Sequence, residues 1–275
     1  MNIETINVKI KLLSPLCHFG DEQCGTMQTA RRIKFKVSDD FIDIPVYSGN
    51  AFRGTLRTIV FQDMLEKIGK DIHGISQNVY YTLFNGGSLK SGGVELLGFK
   101  QDLKTCPAIV LLGSSFGNQM IEGKMKVGMV KPICKELNGY NENQSETSIF
   151  SGMISETFQV KTDRLKTTTE VVADVMEKPK ETMQMKYEME TLSAGTELET
   201  QIQLEFASDL EKSCAVYMLE LLKQKKHIGG KSSEGYGEIS VSYETDISPD
   251  LYANYLKDNS DKISEFIAML EAILS

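Results

Sequence analysis

The sequence predicts an α+β fold, because a similar order of elements occurs near each end of the chain. Near the start, an alternating apolar segment at 3–13 and a second extended segment precede a helix that begins near Ser48. Near the end, an alternating segment at 197–206 precedes a helix, a glycine-rich loop and a closing strand at 238–243. Strand–helix units of this kind are typical of an RRM-like (ferredoxin-type) core. The full prediction is such a core with an inserted β-hairpin and a C-terminal helix.

The composition limits the class of protein. A chain of 275 residues with 41% hydrophobic residues can form one large domain, or a core with an insertion. The net charge of −8 excludes a protein that coats nucleic acid with its whole surface, but it permits a local basic groove. The five cysteines are scattered without a CxxC pair, which argues against a zinc site or a disulfide framework.

Two further features of the sequence concern its compartment. The chain does not open with a signal peptide, and it contains no apolar run approaching about 18 residues. We therefore expect a cytoplasmic protein that does not contact a membrane.

The first strand and the segments after it can be assigned from their alternation. In 3–13 the apolar side chains fall on one face of a half-buried strand. Residues 14–29 contain glycines and His18, and we expect a loop there. The next residues alternate basic and apolar side chains, which predicts an edge strand with a basic face. The basic residues of this segment are Arg31, Arg32, Lys34 and Lys36.

The helix that follows has features suited to binding an anion. Ser48 or Asn50 can cap its first turn, and apolar residues from Ala51 onward form one face. Arg53 and Arg57 are four residues apart and so project from the same side of the helix. A helix N-terminus beside two guanidinium groups suits phosphate. The alternative is an ordinary amphipathic helix with two solvated arginines.

The middle of the chain is less informative. Segments 94–99, 108–112 and 124–130 have the composition of short strands, and 138–147 has the composition of a polar loop. Glycines interrupt the pattern too often for a topology to be assigned.

Residues 155–192 form the predicted insertion, and we expect 1–154 and 193–275 to make up the core. A polar, threonine-rich stretch lies between two extended segments, the second of which alternates around Met185, Tyr187 and Met189. This pattern predicts a long hairpin that projects from the core. The alternative is a surface insertion without a role.

The glycine-rich loop at 228–237 follows a helix that Asp209 is expected to cap. It is not a P-loop, because residue 225 is lysine rather than glycine and because the loop leads from a helix into a strand. Closely spaced glycines let backbone N–H groups approach phosphates, and nearby lysines such as Lys226 and Lys231 add positive charge. The tail at 248–275 has helical spacing and is expected to pack on the domain or on a neighbour.

Two of these motifs carry a resemblance to a known family. From residue 44 the sequence has the form I-P-x-x-S-G-N-x-x-R-G-x-x-R, and the glycine-rich loop follows about 180 residues later. In this order they resemble the two marks of the RAMP superfamily of CRISPR proteins. Blocks at 14–20 and 184–196 extend the resemblance to the Cas-seven-type backbone subunit, in particular its type IV version.

The resemblance implies a guide-RNA (crRNA)-binding subunit without a cofactor that polymerises as a helical filament along the RNA. The inserted hairpin would be the thumb that reaches over the guide strand. The implied partners are guide RNA, target DNA or RNA paired through the guide, copies of the same chain head to tail, and other effector subunits. The predicted RNA-binding residues are His18, Gly20, Arg31, Arg32, Ser48, Asn50, Arg53, Arg57, Arg164, Lys226, Gly229, Gly230, Lys231, Ser232 and Ser233.

We expect no catalytic or metal-binding residue in this chain. RNA cleavage without a metal commonly uses a histidine as general base, and no histidine has an evident partner in the sequence. Related type III subunits that cut target RNA with a metal have an acidic residue shortly after the loop glycine. The four residues after Gly25 include no carboxylate, although Asp21 and Glu22 precede it. Two alternatives stay open, namely a RAMP endoribonuclease that processes guide precursors or cuts target RNA, and an acidic oligomerising scaffold.

Overall fold

A central antiparallel sheet organises the computed structural model, which describes residues 3–25, 27–87, 102–116, 119–161 and 185–274. The strands in these ranges are β1 Ile3–Leu12, β2 Phe19–Cys24, β3 Met27–Ala30, β4 Arg32–Val37, β5 Asp40–Pro45, β6 Ser114–Phe116, β7 Gln119–Ile121, β8 Met125–Val127, β9 Lys131–Pro132, β10 Ile154–Lys161, β11 Met185–Leu192, β12 Glu197–Glu205 and β13 Ile239–Tyr243. The α-helices are α1 Gly49–Lys67, α2 Gln77–Phe84, α3 Pro107–Leu112, α4 Asp209–Lys225, α5 Asp250–Asp258 and α6 Ser260–Leu274.

The strand order of the central sheet confirms the predicted RRM-like core. The order is β13-β1-β12-β8, every neighbouring pair is antiparallel, and β9 also pairs with β12. The units β1–α1–β8 and β12–α4–β13 therefore interleave, so that the fourth, first, third and second core strands lie side by side. Strand β1 lies between β13 and β12. Its apolar side chains alternate as predicted, and the inward-facing Ile6, Val8, Ile10 and Leu12 are each at most 1% exposed.

Helices α1 and α4 share one hydrophobic core with this sheet. Ser48 caps α1, since its side chain accepts a hydrogen bond from the Ala51 N–H at 3.2 Å. The predicted cap of α4 was one residue off. Ser208, not Asp209, is the N-cap, and it forms a capping box with Glu211.

Two segments have a different structure from the one that the sequence predicts. Residues 14–29 are not a loop throughout, because they contain β2 and β3, which join β10 and β11 in a second sheet of order β10-β11-β3-β2. Residues 108–112 lie in α3 rather than in a strand, with Pro107 at the first helical position. A short apolar run that is buried all round has no period to distinguish helix from strand. The predicted strand at 94–99 lies outside the described residues.

The basic strand β4 forms its own hairpin with β5 and does not join the central sheet. The inner face of this hairpin packs on a small second core that contains Ile44, Cys134, Leu137 and Ile149. The nearby polar loop at 138–147 is anchored to β12, because the buried carboxylate of Glu199 accepts hydrogen bonds from two of its backbone N–H groups. The second core and a hydrogen bond from the Tyr140 hydroxyl of this loop to the Lys36 carbonyl hold the β4–β5 hairpin beside the central sheet.

Two paired strands lie at the ends of the predicted hairpin insertion. Strands β10 and β11 pair antiparallel over eight residues, from Ile154 opposite Leu192 to Lys161 opposite Met185. The predicted tip, including Arg164, lies outside the described residues.

The C-terminal tail packs on the domain, as predicted. Helices α5 and α6 bury Tyr252, Leu256, Ile263, Phe266, Ile267 and Leu270. Among the helices in the described ranges, none is both long and apolar enough to cross a lipid bilayer.

Candidate nucleic-acid interface

Three segments that the sequence singles out meet at the N-terminus of α1. The His18 Nε2 atom accepts a hydrogen bond from the Ser48 N–H at 3.2 Å, and the His18 ring lies 4.7 Å from the Tyr47 ring. The Gly230 N–H donates to the Cys17 carbonyl at 2.9 Å. The segment at 14–18, the start of α1 and the glycine-rich loop are therefore one structural unit, although they are far apart in sequence.

The glycines of this unit are required by close backbone contacts. Gly229 has a φ of +78°, and a Cβ atom there would lie 2.6 Å from the Cys17 carbonyl oxygen. Gly237 has a φ of +77°, and its Cβ would lie 1.9 Å from the Ile228 carbonyl oxygen. Neither position can hold a side chain, because the loop backbone lies against Cys17 at Gly229 and against its own Ile228 at Gly237. Its outer side, which includes Gly229, Gly230, Ser232 and Ser233, is exposed.

His18 is held in its neutral form by this arrangement. Burial lowers the pKa of His18, and the nearby positive charge of Arg31 lowers the pKa further. A neutral Nε2 atom accepts the Ser48 N–H, so the ring proton is on Nδ1. The imidazole thus orients the first turn of α1. The exposed Asp21 carboxylate lies 3.4 Å from Arg31 rather than at His18.

The two arginines of α1 point toward the C-terminal end of α3. Arg57 is only 7% exposed, and its guanidinium donates to the carbonyl oxygens of Leu112 at 2.8 Å and Gly113 at 3.0 Å. Arg53 also donates to the Leu112 carbonyl. Carbonyl groups at a helix C-terminus carry partial negative charge and lack helical partners, so two guanidinium groups stabilise them.

Arg57 therefore has a structural role that the four-residue spacing did not indicate. Its burial, together with the charge of Arg53, lowers its pKa to about 10. Both arginines are predicted to contact RNA, and in the structure the Arg57 guanidinium donates to main-chain carbonyls.

Arg53 is half-buried and borders an open cleft of about 750 Å³. Its buried Nε atom has no hydrogen-bond partner in the part of the chain that the structure describes. The cleft has a mixed lining that includes Asn50, Gly86, Met120 and Lys126. The exposed Asn50 side chain places this cleft beside the unit formed by His18 and Ser48.

Arg31 and Arg32 have different surroundings. Arg32 donates twice to the nearly buried Glu190 of β11, at 2.8 and 2.9 Å, and the same carboxylate accepts the Ala30 N–H at 3.0 Å. This ion pair fixes the corner between β3 and β4. Arg31 stays partly exposed next to Gly20, where an added Cβ would lie 3.4 Å from the Arg31 Cα.

Lys231 connects the glycine-rich loop to the inserted hairpin, a role that the sequence did not suggest. Its ammonium donates to the Gln159 side chain on β10 at 2.6 Å and to Glu234 at 3.1 Å. The ammonium also lies 6.0 Å from the centre of the Tyr187 ring on β11. The predicted cation Lys226 is exposed at the C-cap of α4. No spacing rule pairs a loop lysine with a strand 72 residues away.

The described site residues offer hydrogen-bond donors and positive charge. The exposed backbone at 229–230 lies against Cys17, next to the His18 side chain that contacts the start of α1, while Ser232, Ser233 and Lys226 are exposed in and beside the same loop. Exposed N–H and hydroxyl donors with positive charge suit an anionic backbone. Across the described ranges, no three His, Cys, Asp or Glu side chains are grouped so that they could hold a metal ion.

The comparisons with known proteins add a likeness of fold. No protein-family model and no curated protein matches this sequence. Among solved structures, the chain is similar to a chain of a "Type IV-B CRISPR Complex", with a TM-score of 0.61 and 20% sequence identity. The similarity covers 88% of this chain and 91% of that one. At this level of identity the two chains share a fold.

Proposed function

We propose that this protein is a non-catalytic guide-RNA-binding backbone subunit of a CRISPR effector complex. The observation that carries the proposal is the meeting of three distant segments at the N-terminus of α1. The likeness to a chain of a Type IV-B CRISPR Complex over most of both chains supports it. The chain would bind guide RNA, copies of itself head to tail and other effector subunits, and the guide would pair with target DNA or RNA.

The geometry suits recognition of an RNA backbone rather than of its bases. The N-terminus of α1 carries partial positive charge, Arg31 adds a full charge beside His18, and Lys226 adds another at the start of the glycine-rich loop. The exposed glycines let the loop backbone come close to phosphate groups. Because these groups contact phosphates, binding is independent of sequence, and base pairing through the guide supplies specificity.

The state of His18 supports a binding role rather than cleavage. A general base needs an accessible lone pair near the 2′-hydroxyl that it deprotonates. The Nε2 lone pair of His18 is already used by the Ser48 N–H. The Nδ1 atom of His227 lies 3.1 Å from the carbonyl of Lys225, two residues earlier in the chain.

Binding measurements on a double variant test the proposal. Arg31→Ala with Lys226→Ala should weaken binding to unrelated RNA sequences alike, and the slope of log affinity against log salt should fall by about two. The matched control is Lys257→Ala with Lys262→Ala, which removes the same charge from exposed positions on α5 and α6. Equal affinity and salt slope in both double variants would reject the proposed interface. Mg²⁺-dependent or Mg²⁺-independent cleavage of bound RNA would reject the non-catalytic role.

A further inference from the structure

An exposed acidic strip lies on the base of the inserted hairpin. It consists of Glu156, Phe158 and Val160 on one face of β10, with the half-buried Glu188 of β11 directly opposite Phe158. Lys186 lies opposite Val160 in the register. Phe158 is 68% exposed and Val160 is 54% exposed. Open apolar side chains on an ordered strand indicate a contact surface, and the flanking carboxylates repel an RNA backbone.

An exposed basic strip lies on the β4–β5 hairpin. It consists of Lys34 and Lys36 on one face of β4, with Phe41 of β5 directly opposite Lys36. Phe41 is 69% exposed. Asp43 lies opposite Lys34 in the register. Even so, neither lysine forms an ion pair with any carboxylate in the described ranges.

Within one chain, an ion pair joins the strand face that carries the basic strip to the strand face that carries Glu188. Arg32 lies on the same face of β4 as the basic strip, and Glu190 lies on the same face of β11 as Glu188. Their ion pair, with distances of 2.8 and 2.9 Å, is a contact between opposite charges of these two faces. The remaining charges and the three exposed apolar side chains have no such counterpart within the described ranges.

We propose that the acidic strip of one copy docks on the basic strip of a second copy. Each strip has an aromatic centre beside charged side chains, which is the composition of a specific protein interface. Both strips lie on paired strands that tertiary contacts hold in place, so docking requires little ordering. Since two unlike strips meet, each contact pairs different surfaces of the two copies. The inference rests on the proposed function, in which RNA aligns successive copies.

Charge reversal provides the test. Two variants of the full-length chain are prepared, E156K/E188K and K34E/K36E, and light scattering measures their assembly on a long RNA. Each variant alone should need at least about tenfold more protein to assemble than wild type, because like charges then face each other. An equimolar mixture should regain assembly, because every contact between unlike copies is again between opposite charges.

The controls separate docking from RNA binding. The variant K257E/K262E makes the same charge change as K34E/K36E, but on α5 and α6, and should assemble like wild type. Affinity for a short RNA that holds one copy should be unchanged in both strip variants. Unaltered assembly of the strip variants, or no recovery in the mixture, would overturn the inference. Loss of short-RNA affinity in K34E/K36E would also overturn it, since the basic strip would then bind RNA. If wild type does not bind the short RNA, the proposed function itself fails.

Discussion

At the scale of single residues, the site depends on side chains that hold the backbone in place. Arg57 secures the carbonyl ends of α3, and its guanidinium also lies 3.4 Å from the Leu83 carbonyl in α2. His18 secures the start of α1. Neither role requires contact with a ligand, so changes at these residues should affect stability before they affect binding.

Replacement of Arg57 by alanine should destabilise the protein. The buried Gly113 carbonyl would lose its side-chain donor and the Leu112 carbonyl would keep only Arg53, and an unsatisfied buried polar group costs about 1–3 kcal/mol. Arg53→Ala should have a smaller effect on stability, because Arg53 is half-buried, and a larger effect on RNA affinity. Urea unfolding and RNA titration of both variants measure the difference. Equal unfolding midpoints for Arg57→Ala and wild type would contradict the structural role.

The His18 contact should make stability depend on pH. Because the folded pKa is lowered from 6.5, the unfolded chain binds a proton more readily than the folded chain. The stabilising effect of the neutral imidazole is complete above pH 6.5. It is lost as the pH falls from there toward the lower folded value.

The matched comparison is His18→Gln, whose amide oxygen can still accept a hydrogen bond but does not titrate. The free energy of unfolding of wild type should fall more between pH 7.5 and pH 5 than that of the variant. Since His73 and His227 are present in both proteins, they cancel in this comparison. Parallel pH profiles would show that the Ser48 contact does not depend on the charge of His18.

At the scale of elements, the inserted hairpin and the glycine-rich loop are coupled by one side chain. Lys231 reaches from the loop to Gln159 on β10, and the Cys17 and Met189 sulfur atoms lie 3.9 Å apart beside this contact. A ligand that binds at the loop therefore lies close to the base of the hairpin. The sequence beyond that base, at 162–184, is polar and includes a threonine-rich stretch.

Limited proteolysis should cut the free protein first between residues 160 and 180. The segment is polar and has few side chains to bury, and such segments are preferred sites of nicking. Assembly on RNA should protect it, because a thumb that covers the guide strand becomes part of an interface. Mass spectrometry of the early fragments locates the first cut. A first cut elsewhere, or the same cutting rate with and without RNA, would count against a thumb in this segment.

At the scale of the whole molecule, the net charge of the chain and the direction of an RNA strand together favour assembly that depends on RNA. The net charge of −8 makes free copies repel one another weakly, and under the proposed function RNA would bring basic groups of successive copies onto one strand. A strand with direction relates identical subunits by rotation and translation, which makes their contacts heterologous.

Assemblies should therefore lengthen with the RNA. Without RNA we expect small species, and with RNA we expect filaments whose length is proportional to the number of nucleotides. Electron microscopy over a series of RNA lengths measures this directly. A particle size that stays constant as the RNA grows would indicate a closed oligomer instead of a filament.

The sequence by itself determined the elements whose signal is local and periodic. Alternation placed β1 and its buried face, helical spacing placed α1, and the hydroxyl of Ser48 marked where that helix begins. These assignments hold because each depends on neighbours a few residues away. The segments 19–24 and 27–30 lack such a signal and become strands because β11 is there to pair with β3.

Only the tertiary structure decided which charged side chains are free. Arg53 and Arg57 are equivalent in spacing, but the partners of Arg57 lie 55 and 56 residues away, on a segment that the sequence suggested was a strand. Arg32 finds Glu190 at a separation of 158 residues, whereas Lys34 and Lys36 on the same face stay exposed. Burial and ion pairing of a charged side chain depend on which distant segments come together in the fold. The local pattern of a sequence does not predict those long-range contacts.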